Sequence, residues 1–123
     1  DVYSVAQPYE DTGCFAVYTA CSPENVPKVE SVILEEWEKL CSEPVSDAEL
    51  ATAKRIYDGT LIRECETNMY VAGISGVEAL LYEVEPFDIS VQRINAVTKR
   101  DIMDAANRYL SAAKYALATL GRG

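Results

Sequence analysis

The chain has 123 residues, a length that suits one domain and suffices to bury a core. Apolar residues make up 49% and charged residues 25%, with 6 Gly and 5 Pro, which excludes the disordered and fibrous classes. It has no His and a net charge of −9 from 11 basic and 20 acidic residues. This removes histidine-based nucleophilic catalysis, imidazole metal ligation and a histidine pH switch, and speaks against nucleic acid as a partner.

In chain order, residues 2–7 read as a first strand, and the opening Val2-Tyr3-Ser4-Val5 starts directly in strand-like sequence, as expected for a segment of a longer protein. Pro8 to Gly13 is turn chemistry, because Pro fixes φ and Asp11-Thr12-Gly13 favours a tight reversal. Residues 14–20 form a second strand, with Phe15 and Val17 on one face and Ala16 and Tyr18 on the other. Ser22 can cap a helix whose first position suits Pro23 and whose positive end suits Glu24. Val29, Val32, Ile33, Trp37 and Leu40 then recur at helical spacing, with Glu35, Glu36, Glu38 and Lys39 on the wet face, until Pro44 ends the helix.

Ser46 and Glu49 have the spacing of a capping box. Leu50, Ala53, Ile56, Tyr57, Leu61 and Ile62 follow as an amphipathic stripe, in which Gly59 marks a bend or a close contact. Residues 65–83 are less polar, and Gly73-Ile74-Ser75-Gly76 would let another backbone approach. Val84-Glu85-Pro86 breaks that stretch, and residues 89–97 read as a short helix. Thr98 to Asp101 caps a further helix through Leu110, with Ile102, Met103, Ala106 and Tyr109 as its stripe. Residues 114–120 alternate like a strand, Tyr115, Leu117 and Thr119 against Ala116, Ala118 and Leu120. The order β-β-α-α-α-α-β predicts an α+β fold, with a largely antiparallel sheet packed against helices.

Cys14, Cys21, Cys41 and Cys65 lack the spacing of a zinc ribbon or a redox pair. They read as buried free thiols, in a reducing, cytoplasmic setting. The paired carboxylates Glu10-Asp11, Glu35-Glu36, Glu64 with Glu66 and Glu83 with Glu85 read as solvated surface. Neither Thr12-Gly13 nor the segment from Gly73 to Gly76 has the Lys-Ser/Thr of a phosphate loop. No run of 18 apolar residues marks a membrane span, and no charged start followed by an apolar stretch marks a signal peptide.

A set of residues spread along the chain carries a resemblance. Tyr3-Ser4-Val5, Tyr9 to Phe15, Val17-Tyr18 and Ser22 to Val26 open it. Glu43 to Leu50, Ala53-Lys54, Gly59 to Leu61 and Glu66-Thr67 continue it, and Arg93 to Thr98, Asp101-Ile102, Ala105 to Leu110 and Ala116 to Gly121 close it. In order and spacing these resemble a domain of the pitrilysin, insulinase and mitochondrial-processing-peptidase family of zinc metallopeptidases.

The resemblance implies a metalloprotease half-domain over residues 1–123, a single inactive domain of a longer chain. The family's zinc domain carries two His and a Glu as H-x-x-E-H, and none of that can be present here. The implied role is therefore the second, non-catalytic domain: no cofactor of its own, zinc in a catalytic partner domain in cis or in trans, and a peptide substrate held between the two. Active members contribute an Arg and a Tyr from a helix of this second domain. Without a gap from Glu66-Thr67 and Gly76, the tyrosine falls on Tyr82, a substrate-positioning candidate, while Val71 stands at the arginine position. Arg63, eight residues earlier, does not match. A catalytically dead scaffold subunit and a peptide-binding module are the alternatives. No catalytic residue is expected in this domain, nor a nucleic-acid or membrane partner. Exposed apolar surface and a homodimer of the isolated domain are expected.

Overall fold

A computed structural model describes residues 1–81, 84–110 and 114–121. The chain forms two compact units: the first comprises Asp1–Pro44 and Met103–Gly123, the second Val45–Ile102.

In the first unit, β1 (Val2–Pro8) and β2 (Gly13–Thr19) pair antiparallel, with Tyr3 opposite Tyr18 and Ala6 opposite Phe15. The reversal is closed by the Tyr9 amide donating to the Thr12 carbonyl at 2.8 Å. A Cβ on Gly13 would sit 3.1 Å from the Gln7 carbonyl oxygen, so the turn exit leaves little room for a side chain. A 3₁₀ turn, Pro23–Asn25, precedes α1 (Val26–Ser42). The sequence reading placed one helix from Pro23. Two prolines four residues apart explain the difference, because Pro27 has no N–H to give the Pro23 carbonyl. The Val26 amide takes that carbonyl instead, in the tighter three-residue pattern.

Alternation along the strands decides what meets α1. Phe15 shares a face with Ala6 and Val17, and its ring lies 6.3 Å from that of Trp37 on α1. Trp37 in turn meets Tyr115 edge-on at 6.5 Å, and the Tyr115 hydroxyl donates to Glu30 Oε1 at 2.6 Å. α5 (Lys99–Tyr109) starts in the second unit and ends in the first. Its Asn107 amide nitrogen donates to the Cys41 carbonyl at 2.7 Å and to the Met103 carbonyl at 2.9 Å. The Cys41 thiol points at the Leu110 carbonyl at 3.9 Å. These bonds tie the ends of α1 and α5 together.

The second unit packs α2 (Asp47–Cys65) against α3 (Asn68–Leu81) and α4 (Phe87–Ala96). The capping box is formed: the Glu49 amide donates to Ser46 Oγ at 3.2 Å, and the Ser46 amide donates to Glu49 Oε2 at 2.9 Å. Thr98 and Asp101 repeat the device at the start of α5, at 2.8 and 3.3 Å. Lys54 Nζ donates to the Asn95 carbonyl at 2.7 Å, fastening α2 to the end of α4. Lys99 pairs with Asp47 at 2.7 Å.

The α+β class holds, with an antiparallel hairpin first and helices after it. Three details differ from the sequence reading. Residues 68–81 are a helix, bringing the helices among the described residues to five besides the 3₁₀ turn. The alternating segment 115–120 has no strand hydrogen bonding, so the two-stranded sheet is the sheet of the described residues. An alternating pattern becomes a strand only beside an edge that completes its ladder. The core is also thin: among the described residues only Leu61 and Ala106 are buried.

Candidate functional site

The hairpin offers two kinds of surface. The face turned away from Phe15 carries Tyr3 stacked on Tyr18, ring centroids 5.2 Å apart and 16° from parallel, with Val5 and Ala16 beside them. Both tyrosines are more than half exposed. The outer edge of each strand has no ladder partner among the described residues. Such edges can accept an extended peptide as an added strand. At the open end of the hairpin, a shallow cavity of about 500 Å³ lies between Val2, Thr19, Ala20 and Cys21 and the first turns of α1. Val29, Val32 and Ile33 make its floor apolar, and Lys28 stands on its wall.

Tyr82, the substrate-positioning candidate, lies outside the described residues. Val71, where the resemblance would have an arginine, is half-buried in the first half of α3. The preceding Thr67 holds the start of that helix: its hydroxyl donates to the Glu64 carbonyl at 3.0 Å and accepts from the Tyr70 amide at 3.4 Å. Tyr70, which the sequence reading did not single out, is the most perturbed ionisable group described. Burial and a hydrogen bond to Glu64 push its hydroxyl up to about 12.

The carboxylates do not converge. Glu36 pairs with Lys39 at 2.6 Å, and Ser31 donates to Glu35 at 2.9 Å. Glu85 takes Arg93 at 3.0 Å and Ser90 at 3.2 Å. Glu83 lies outside the described residues. Among the described residues there is no group of three or more Cys, Asp or Glu placed to hold a metal ion. The four thiols are free, but Cys14 and Cys21 are exposed and Cys41 and Cys65 only half-buried, which corrects their reading as buried apolar groups. Cys14 lies on the uncovered face of the hairpin, and Cys21 lies beyond the end of β2. No helix of the described residues is long and apolar enough to cross a membrane.

An α+β hairpin-and-helix domain, with open strand edges and no metal-ligand group among its described residues, is the class this structure defines. Residues 1–57 match the family model described as the peptidase M16 inactive domain. The chain is 27% identical over 114 residues to the mitochondrial-processing peptidase subunit beta of Bos taurus, covering 92% of this chain and 23% of that protein. It is 27% identical over 104 residues to a probable mitochondrial-processing peptidase subunit alpha-1 of Arabidopsis thaliana, covering 84% and 21%. An uncharacterized zinc protease of Mycobacterium tuberculosis is 28% identical over 121 residues, covering 98% and 27%. Over residues 1–57 the chain is thus similar to the inactive domain of the peptidase M16 family, and over most of its length to these peptidase relatives. The chain spans about a quarter of the length of the curated relatives it matches.

Proposed function

We infer that this domain forms one wall of a peptide-substrate chamber, opposite a zinc-bearing domain supplied in cis or in trans. One observation carries the reading: a chain that matches the inactive domain of a peptidase family has no histidine among 123 residues. Zinc does not fit this domain, because imidazole ligands are missing from the sequence and no acidic or thiol cluster among the described residues replaces them. The metal and the activated water therefore belong to the partner. This domain contributes enclosure and positioning. The exposed Tyr3 and Tyr18 rings and the free strand edges supply apolar and main-chain contacts for an extended peptide. Tyr82 is the residue proposed to hydrogen-bond substrate or the tetrahedral oxyanion.

The isolated chain is expected to bind no stoichiometric zinc and to cleave no peptide, measured by metal analysis and by turnover of a quenched-fluorescence peptide library. Zinc-dependent cleavage by the isolated chain would overturn the reading. With the catalytic domain supplied, Tyr82→Phe is expected to lower kcat about tenfold or more, in line with the loss of one oxyanion donor, while KM changes little. A second reading, a scaffold subunit without turnover, is favoured by Val71 where active relatives are expected to carry arginine. It predicts that the reconstituted pair cleaves nothing and that Val71→Arg does not restore activity.

A further inference from the structure

The two edges of the hairpin are not equivalent. At its closed end the Tyr9 amide donates to the Thr12 carbonyl, and at its open end the Ala20 amide donates to the Asp1 carbonyl at 3.1 Å. Directly opposed residues of an antiparallel pair alternate between exchanging such bonds and turning their amides and carbonyls outward. Both ends set the same phase: Tyr3–Tyr18, Val5–Ala16 and Gln7–Cys14 are the bonded pairs. Val2–Thr19, Ser4–Val17, Ala6–Phe15 and Pro8–Gly13 are the pairs whose backbone groups point outward. On β1 the outward N–H groups are those of Val2, Ser4 and Ala6, and the row stops at Pro8, which has none. On β2 the row is unbroken, with N–H and C=O at Gly13, Phe15, Val17 and Thr19. Among the described residues none of these groups has a partner.

A row of alternating donors and acceptors is satisfied in full by one kind of occupant, an extended backbone. A second copy laid edge to edge brings another net charge of −9 alongside. The alternating segment 115–120 is engaged elsewhere, with the Tyr115 ring against Trp37 and its hydroxyl on Glu30 of α1. An added peptide strand meets neither obstacle. Its side chains alternate between the face of Ala16 and Tyr18 and the face of Phe15 and Val17. Phe15 and Tyr18 are both exposed enough to be touched there. Neither β1 nor β2 carries a charged side chain, so cross-strand pairing on either face rewards β-branched and aromatic neighbours and gives an ionised one no counter-charge.

We propose that the outer edge of β2, from Gly13 to Thr19, takes an extended peptide segment whose side chains are uncharged and β-branched or aromatic. This assignment rests on the reading of the domain as a wall of a peptide chamber, and it names the edge and the class of sequence.

Amide hydrogen exchange of the 123-residue chain, followed by NMR, tests it with an acetylated, amidated peptide of alternating Thr and Val. The peptide is expected to slow exchange at Phe15, Val17 and Thr19 and to leave Val2, Ser4 and Ala6 unchanged. Cys21 allows a synthetic segment ending at Ala20 to be ligated to the rest of the chain. An N-methyl group on Val17 then removes one outward donor while keeping every side chain and every bond of the hairpin ladder. It is expected to weaken binding about tenfold or more, whereas N-methylation of Ser4 leaves binding unchanged. The same peptide with Arg in place of Val is expected to bind at least about tenfold more weakly in roughly 0.15 M salt. Protection at Val2, Ser4 and Ala6 instead, or equal loss from the two N-methyl groups, overturns the choice of edge. Tighter binding of the Arg peptide overturns the class of sequence. Phe15 and Val17 amides already protected without peptide give the edge to segment 115–120 or to a second copy, and overturn the proposal. A chain that binds neither peptide overturns it too. The chamber reading is judged separately, by turnover of the pair reconstituted with the catalytic domain.

Discussion

Tyr70 couples the second unit to pH. Its hydroxyl titrates near 12 in the folded chain because burial and the Glu64 carboxylate both disfavour the phenolate. In the unfolded chain it ionises near 10. Between those values the unfolded state has lost a proton that the folded state keeps, so stability falls as pH rises from about 10 to 12. Alkaline unfolding followed by circular dichroism is expected to show this loss, and Tyr70→Phe should flatten it in that window while leaving stability at neutral pH within about 1 kcal/mol. On the acid side Glu49 and Asp101 are two of the carboxylates held below the usual range, first by the hydroxyls they face, Ser46 and Thr98, and then by backbone amides. Their contribution is complete at neutral pH and fades as pH falls through their lowered values.

At the scale of the element, α2 shows which parts of a helix can be read locally. Its start depends on Ser46 and Glu49 alone, three residues apart, and is formed as the sequence predicts. Its covered side is another matter. The apolar stripe placed Ile56 and Ile62 inward, yet both are exposed, while Lys54 and Asp58 are half-buried. Which side faces α3 and α4 depends on partners far along the chain, and Lys54 is drawn in by the Asn95 carbonyl. The same reasoning covers α1, where Val32 is exposed and Leu34 half-buried, and the unpaired segment 115–120. Caps and turns are local and legible, whereas sheet partners and helix faces are not. The residues of the candidate peptide surface were legible as strand positions, but their exposure was not.

Gly59 belongs to this scale too. α2 runs through it unbroken, and a Cβ there would touch only Arg63 Nη1 at 3.7 Å, an ordinary contact. The bend or close packing expected from sequence is not needed. Gly59→Ala should therefore stabilise the chain by about 0.5–1 kcal/mol, read as a rise in Tm.

At the scale of the whole molecule, net charge and exposed apolar surface oppose each other. A charge of −9 keeps copies apart, while α3 and the hairpin offer apolar contact. Screening weakens the first and leaves the second largely intact. Self-association is therefore expected to tighten, not loosen, between about 0.05 and 0.5 M salt, as measured by the sedimentation-derived dissociation constant. A contact built on ion pairs would show the opposite slope.

Trp37 is the one tryptophan of the chain, and it is held between Phe15 and Tyr115 in the first unit. Its emission therefore reports on the melting of that unit alone. Far-UV ellipticity draws heavily on α2, α3 and α4, all in the second. Two optical signals thus resolve two halves of one small chain without a label, and whether their melting curves superimpose measures directly how cooperatively the halves unfold.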